Sequence, residues 1–147
     1  MNERRAVAMP PEEVTALLSS ARKLQLATIN PDGTPHLVTM FYGLHDARVA
    51  FWTYRSSQKA RNLARDPRVT CLIEDGDDYF ELRGVQLNGV VRPIDDVAAI
   101  GRLIAGRLNG PAEALEDYVA YAAAKRVAYV VEPTRVISWD HRRLTTT

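Results

Sequence analysis

Residues 51–63 read Phe51-Trp52-Thr53-Tyr54-Arg55-Ser56-Ser57-Gln58-Lys59-Ala60-Arg61-Asn62-Leu63, and two periodicities meet inside them. Up to Thr53 the run is aromatic and β-branched, as in a strand, whereas Ala60, Leu63 and Ala64 recur at helical spacing. Ser56 and Ser57 stand at the change, where a serine hydroxyl accepts from a free N–H of the first helical turn. The stretch therefore predicts a strand, a serine-bearing loop and a helix. Such a junction suits an anion, because free N–H groups, hydroxyls and nearby cations together satisfy a phosphate. Arg55, Lys59 and Arg61 supply the cations, and Lys59 and Asn62 share a helix face while Ala60, Leu63 and Ala64 turn to the core. The competing reading is a serine that only caps the helix, with the basic side chains solvated.

Upstream, Pro10-Pro11-Glu12-Glu13 suits a first helical turn, and Val14, Leu17, Leu18 and Ala21 follow at helical spacing. Residues 24–29 then read as a strand, Asn30-Pro31-Asp32-Gly33 as a turn and residues 34–42 as the return strand, with Pro35 at its start where a proline costs least. Gly43-Leu44-His45-Asp46 predicts another turn, leading to a strand over residues 48–53. Downstream, Asp66-Pro67 ends the helix, because the residue before a proline is pushed out of the helical region. A strand over residues 68–74 and a turn over 75–78 lead to a long strand over residues 79–93, bending at Gly84 or Gly89. Asp95 or Asp96 caps a helix running to Leu108, stopped by Asn109-Gly110-Pro111, and residues 112–124 form another. Two β-rich runs, residues 126–132 and 135–140, close the chain on either side of Pro133. This order predicts an α+β fold, an antiparallel barrel with peripheral helices, over one domain at residues 1–147.

At 46% hydrophobic and 25% charged residues, the composition is that of a soluble globular protein. No run approaches the ~18 apolar residues of a membrane span, and none near the start is long enough for a secretory segment, which predicts a cytoplasmic protein without membrane association. A net charge of +1 argues against nucleic acid as a partner. Cys71 alone provides neither a disulfide nor a zinc site, and no metal-ligand spacing, Ser-His-Asp order or catalytic carboxylate pair occurs. No metal site and no catalytic side chain are therefore assigned, and His36 reads as a structural or solvent-facing histidine.

Across residues 24–91 the motifs Ala27-Thr28, Asp32-Gly33-Thr34-Pro35-His36, Met40, Tyr42, Phe51, Thr53, Ser57, Lys59, Asn62-Leu63, Asp66-Pro67-Arg68-Val69, Glu81-Leu82-Arg83-Gly84 and Gly89 succeed one another. In that order and spacing they resemble the pyridoxamine 5′-phosphate oxidase-like split β-barrel superfamily, in its flavin and deazaflavin oxidoreductase branch. The resemblance implies a homodimer with cofactor sites at the subunit interface. Thr53, Arg55, Ser57 and Lys59 would hold the cofactor phosphate, with Ser56 and Arg61 beside them, and Val38, Thr39 and Met40 would line the ring. Trp139 would be a contact from the second subunit, the alternative being ordinary interface packing.

The short chain, the Pro35-His36 strand and the basic loop look closer to the branch that uses coenzyme F420, which implies a reductase passing hydride to an electron-poor small molecule. Trp139, Asp140, His141, Arg142 and Arg143 match only loosely the substrate motif of a vitamin B6 oxidase. An FMN-dependent oxidase of that kind is the alternative, and a non-catalytic protein that binds F420 or a flavin is another.

Overall fold

Leu24 and Leu26 alternate with Gln25 and Ala27, and Val69, Cys71 and Ile73 with Thr70 and Leu72, so each of these strands has one face to bury. The computed structural model describes residues 3–145 and bends these strands around a shared core. The strands are β1 (Lys23–Ile29), β2 (Pro35–Phe41), β3 (Gly43–His45), β4 (Arg48–Tyr54), β5 (Arg68–Asp75), β6 (Arg83–Ile94) and β7 (Arg126–Asp140). The helices are α1 (Glu3–Val7), α2 (Pro11–Ser20), α3 (Gln58–Arg65), α4 (Val97–Ala105) and α5 (Ala112–Ala123). One antiparallel sheet of seven strands runs in the order β2-β1-β5-β6-β7-β4-β3, curled into an open half-barrel with the helices around it. The fold is thus α+β and split-barrel, as the sequence predicts.

Two cores meet at β4. Val49 and Phe51 enter the barrel with Leu24, Leu26, Cys71, Ile73 and Val85, while Ala50 and Trp52 on the opposite face pack under α4 and α5 against Ile100, Ile104, Val119 and Ala122. Burial on both faces explains why this strand is apolar throughout rather than alternating. Gly101 makes the second packing possible: a Cβ there would lie 2.4 Å from a Trp52 ring carbon, too close for any side chain. At the end of the barrel, Arg107 stacks on Tyr42 at 4.5 Å and donates to the carbonyls of Leu18, Ser19 and Ala21 at the C-terminus of α2.

Four expectations change. Residues 43–45 form a strand, and the turn moves on to Asp46 and Ala47, whose φ values of 49° and 65° make the tight hairpin that pairs His45 with Arg48. Residues 79–81 are a 3₁₀ turn, not strand: Gly76, at φ 100°, folds the chain back until its Cα faces the Glu81 carbonyl, where a Cβ would come within 2.4 Å. The helix before Asn109 closes earlier, at Ala105, with Asp96 as its cap. Pro133 does not interrupt β7, because the register shift between Asn88 and Gly89 places it opposite Gly89 and leaves Thr134 as the extra residue, free to donate its hydroxyl to the Asn88 carbonyl at 3.1 Å. The register shift also selects Gly89 over Gly84 as the irregular point of β6.

Candidate phosphate cleft between β4 and α3

Thr53 is the last buried residue of β4, and the chain then turns into α3 through exposed Tyr54, Arg55 and Ser56. Ser57 caps α3: its hydroxyl accepts from the Ala60 N–H at 3.2 Å and lies 3.1 Å from the Thr53 hydroxyl. Asn62, fully buried one turn on, is completely engaged. Its amide donates to Thr28 Oγ1 and to Asn30 Oδ1, both at 3.0 Å, and accepts from Gln58 Nε2 at 2.8 Å. This network bolts α3 to β1 and fixes where the helix begins.

Lys59 does not share that face, although the three-residue spacing predicts it, because Asn62 is drawn in to β1; it points to the other side, into a cleft of about 250 Å³ walled by Met40, Trp52, Thr53, Tyr54, Ile104, Tyr118 and Arg126. Burial pushes the Lys59 ammonium below the usual lysine range, and the nearby Arg126 guanidinium pushes it the same way. No carboxylate of the described residues lines the cleft. Arg126 lies opposite Tyr54 in the β4–β7 register, with its guanidinium 4.4 Å from the Tyr54 ring and 4.7 Å from the Trp52 ring. Its Nε is buried and has no hydrogen-bond partner among the described residues. Two half-buried cations, with hydroxyls beside them and no acidic partner among the described residues, form a site chemically suited to a phosphate.

Of the residues singled out in the sequence, Met40, Thr53 and Lys59 line this cleft, and Ser57 reaches it through Thr53. Val38 lies on the same face of β2 as Met40, while Thr39 alternates to the opposite face, beside Gln25, Glu74 and Arg83. Arg55 turns away to the Ala124 carbonyl at 2.7 Å, Arg61 is exposed and donates to Gln58 at 3.0 Å, and Ser56 is exposed in the loop. Trp139 lies outside the cleft, its ring across Gly84 on the neighbouring strand, where a Cβ would approach to 2.5 Å. His36 sits at the far end of β2 beside Asn30 and Gln58, with a buried Nδ1 that has no partner. Arg126 and Tyr118 were not legible as site residues. A basic residue opening the last strand is the one local signal, and only strand pairing brings it to Tyr54.

Among the described residues, no group of three or more His, Cys, Asp or Glu side chains gathers as a metal site would require, and no helix is long and apolar enough to cross a membrane. The family profile described as pyridoxamine 5′-phosphate oxidase matches residues 10–140. The chain belongs to that family. Within and around this family, a conserved hypothetical protein of Mycobacterium tuberculosis is 38% identical, with a TM-score of 0.90 over 98% of this chain and 92% of that one. A solved F420 reductase is 28% identical, with a TM-score of 0.64 over 82% of this chain and 93% of that one. The pyridoxine/pyridoxamine 5′-phosphate oxidase of Bradyrhizobium diazoefficiens is 30% identical over 83% of this chain, which spans only 62% of that relative's length.

Proposed function

We propose that the chain is an oxidoreductase that binds coenzyme F420 through the cleft between β4 and α3 and passes hydride to an electron-poor small organic acceptor. The observation that carries this reading is the pair Lys59 and Arg126, half-buried together in a cleft that no carboxylate of the described residues lines. Lys59, the Thr53 and Ser57 hydroxyls and the orphaned Arg126 Nε would hold the phosphate. Val38 and Met40, on the inward face of β2, would line the ring. The cleft is smaller than the roughly 300–1,000 Å³ of complete ligand sites, so it suits the phosphate end, and a second copy of the chain would complete the remainder. Trp139 is retained as a contact from that second copy.

When bound, the deazaflavin ring supplies the hydride chemistry. The chain's own contribution is to fix the phosphate by charge and hydroxyl contacts, orient the ring against β2 and keep water from the anchored end; the acceptor's proton comes from solvent. The likeness to the F420 reductase, which this chain nearly spans, supports the deazaflavin. The curated oxidase relative supports a second reading, an FMN-dependent oxidase of the vitamin B6 type.

Titrating the purified protein with F420 and separately with FMN, followed by Trp52 and Trp139 fluorescence, tests the two. Saturation by F420 with turnover of enones or quinones is the expected result, saturation by F420 without turnover leaves a binding protein, and preference for FMN installs the second reading. No binding of either removes the proposal. Sedimentation is expected to give a mass near twice 16.4 kDa.

A further inference from the structure

The guanidinium of Arg126 is held in an unusual way for a cation in a cleft. Two aromatic faces, Trp52 at 4.7 Å and Tyr54 at 4.4 Å, flank it, and its Nη2 donates to the Tyr118 hydroxyl at 3.2 Å. The Tyr118 ring stands edge-on to Trp52 at 6.3 Å, so α5 braces the same cluster. A carboxylate would normally occupy the place these neutral groups take, and Arg126 would then be neutralised. Among the described residues its charge meets no counter-ion and its buried Nε has no partner, while its planar fork keeps a fixed orientation. Lys59 shares the cleft and feels the guanidinium's charge.

We propose that Arg126 is the second cation of the anion site, positioned by Trp52, Tyr54 and Tyr118, and that the cleft selects ligands whose anchored end carries two negative charges. Lys59 balances one charge and Arg126 the other. The shared chemistry has two sources: a phosphomonoester dianion, as in FMN, or a phosphodiester monoanion followed by a carboxylate of the acidic glutamate tail, as in F420. This rests on the phosphate-cofactor reading given above and assigns its selectivity to residues on α5 and β7. Tyr118 is a positioning residue, since it acts through Arg126.

The test is calorimetric titration of F420, FMN and phosphate-free riboflavin into the full chain and into Arg126→Gln, Tyr118→Phe and Lys59→Ala. Arg126→Gln is expected to weaken the phosphate ligand about ten- to a hundredfold and to leave riboflavin binding unchanged. Tyr118→Phe, which keeps the ring and loses the hydroxyl, is expected to weaken it about two- to fivefold. The pH profile separates the sources. A monoester dianion takes up one proton near pH ~6 and becomes a monoanion, so FMN affinity should fall as the pH drops through that region in the full chain and flatten in Arg126→Gln, whereas a diester gives a flat profile in both.

If Arg126→Gln melts like the parent and binds the phosphate ligand equally well while Lys59→Ala does not, the inference is overturned and the phosphate site survives. If Arg126→Gln fails to fold, Tyr118→Phe decides: unchanged affinity and an unchanged pH profile overturn the inference. Failure of the parent chain to bind either phosphate ligand overturns the underlying reading and this inference with it.

Discussion

The two polar faces of α3 differ in one respect that separates structure from function. Asn62 faces β1 and has every hydrogen bond satisfied, by Thr28, Asn30 and Gln58. Lys59, three residues earlier on the same helix, faces the cleft with a second cation and no counter-charge among the described residues. Burying a polar group is tolerable when its partners are in place, and burying an unpaired cation is costly. A fold keeps the first arrangement for its own stability; the second is worth keeping where something negative binds.

The contrast can be broken by experiment, and the largest effect is expected at Asn62. Asn62→Ala should lower the unfolding free energy by about 3 kcal/mol, because it opens a cavity and strands the Thr28 hydroxyl and the Gln58 amide. Chemical denaturation measures this, and a loss under about 1 kcal/mol would mean that the network adds little. Lys59→Ala should do the reverse: cofactor affinity falls about ten- to a hundredfold, while stability stays within about 0.5 kcal/mol of the parent. A variant that loses both would erase the distinction between the two faces.

A pH series sharpens it further. The folded-state pKa of Lys59 is depressed, so its protonated form weakens the fold below that value. The penalty fades as the pH rises toward the ordinary lysine range. Anion binding runs the other way, because it requires the ammonium, and the affinity should drop at a lower pH than an ordinary lysine would give. Affinity that stays constant up to the ordinary lysine pKa would remove Lys59 from the site. The smallest effect is expected far from both faces: Ala47 holds φ 65° in the β3–β4 turn, and Ala47→Gly should stabilise by about 1 kcal/mol without changing cofactor affinity. Thermal unfolding and one binding titration check this together.

Most of the fold was legible because its signals are local. Alternation marked β1 and β5, Asn30-Pro31-Asp32-Gly33 the first hairpin, and Ser57 with Asp66-Pro67 the two ends of α3. Elements misread from sequence were those decided by distant contacts. Gly43 reads as a turn residue, yet it lies in a strand because it pairs with Ala50 of β4, and it must lack a side chain there because a Cβ would meet Leu103 of α4 at 2.9 Å. Pro133 reads as a break, yet the bulge opposite Gly89 absorbs it.

The candidate site divides along the same line. Thr53, Ser57 and Lys59 lie within seven residues; the serine loop and its basic residues were legible from the local pattern, and Thr53 came from the family resemblance. Arg55 and Arg61, equally basic and equally near in sequence, were drawn to the Ala124 carbonyl and to Gln58. Val38, Thr39 and Met40 form one continuous stretch, but the period of a strand sends Thr39 to the other face. The sequence alone determined the strand–loop–helix junction and the candidates for its cap and its cation, since these depend on neighbours along the chain. The pairing of β4 with β7 decided that Arg126 completes the cleft, because the charge density of a site depends on distance in space, and no local pattern encodes a residue that arrives from the opposite end of the fold.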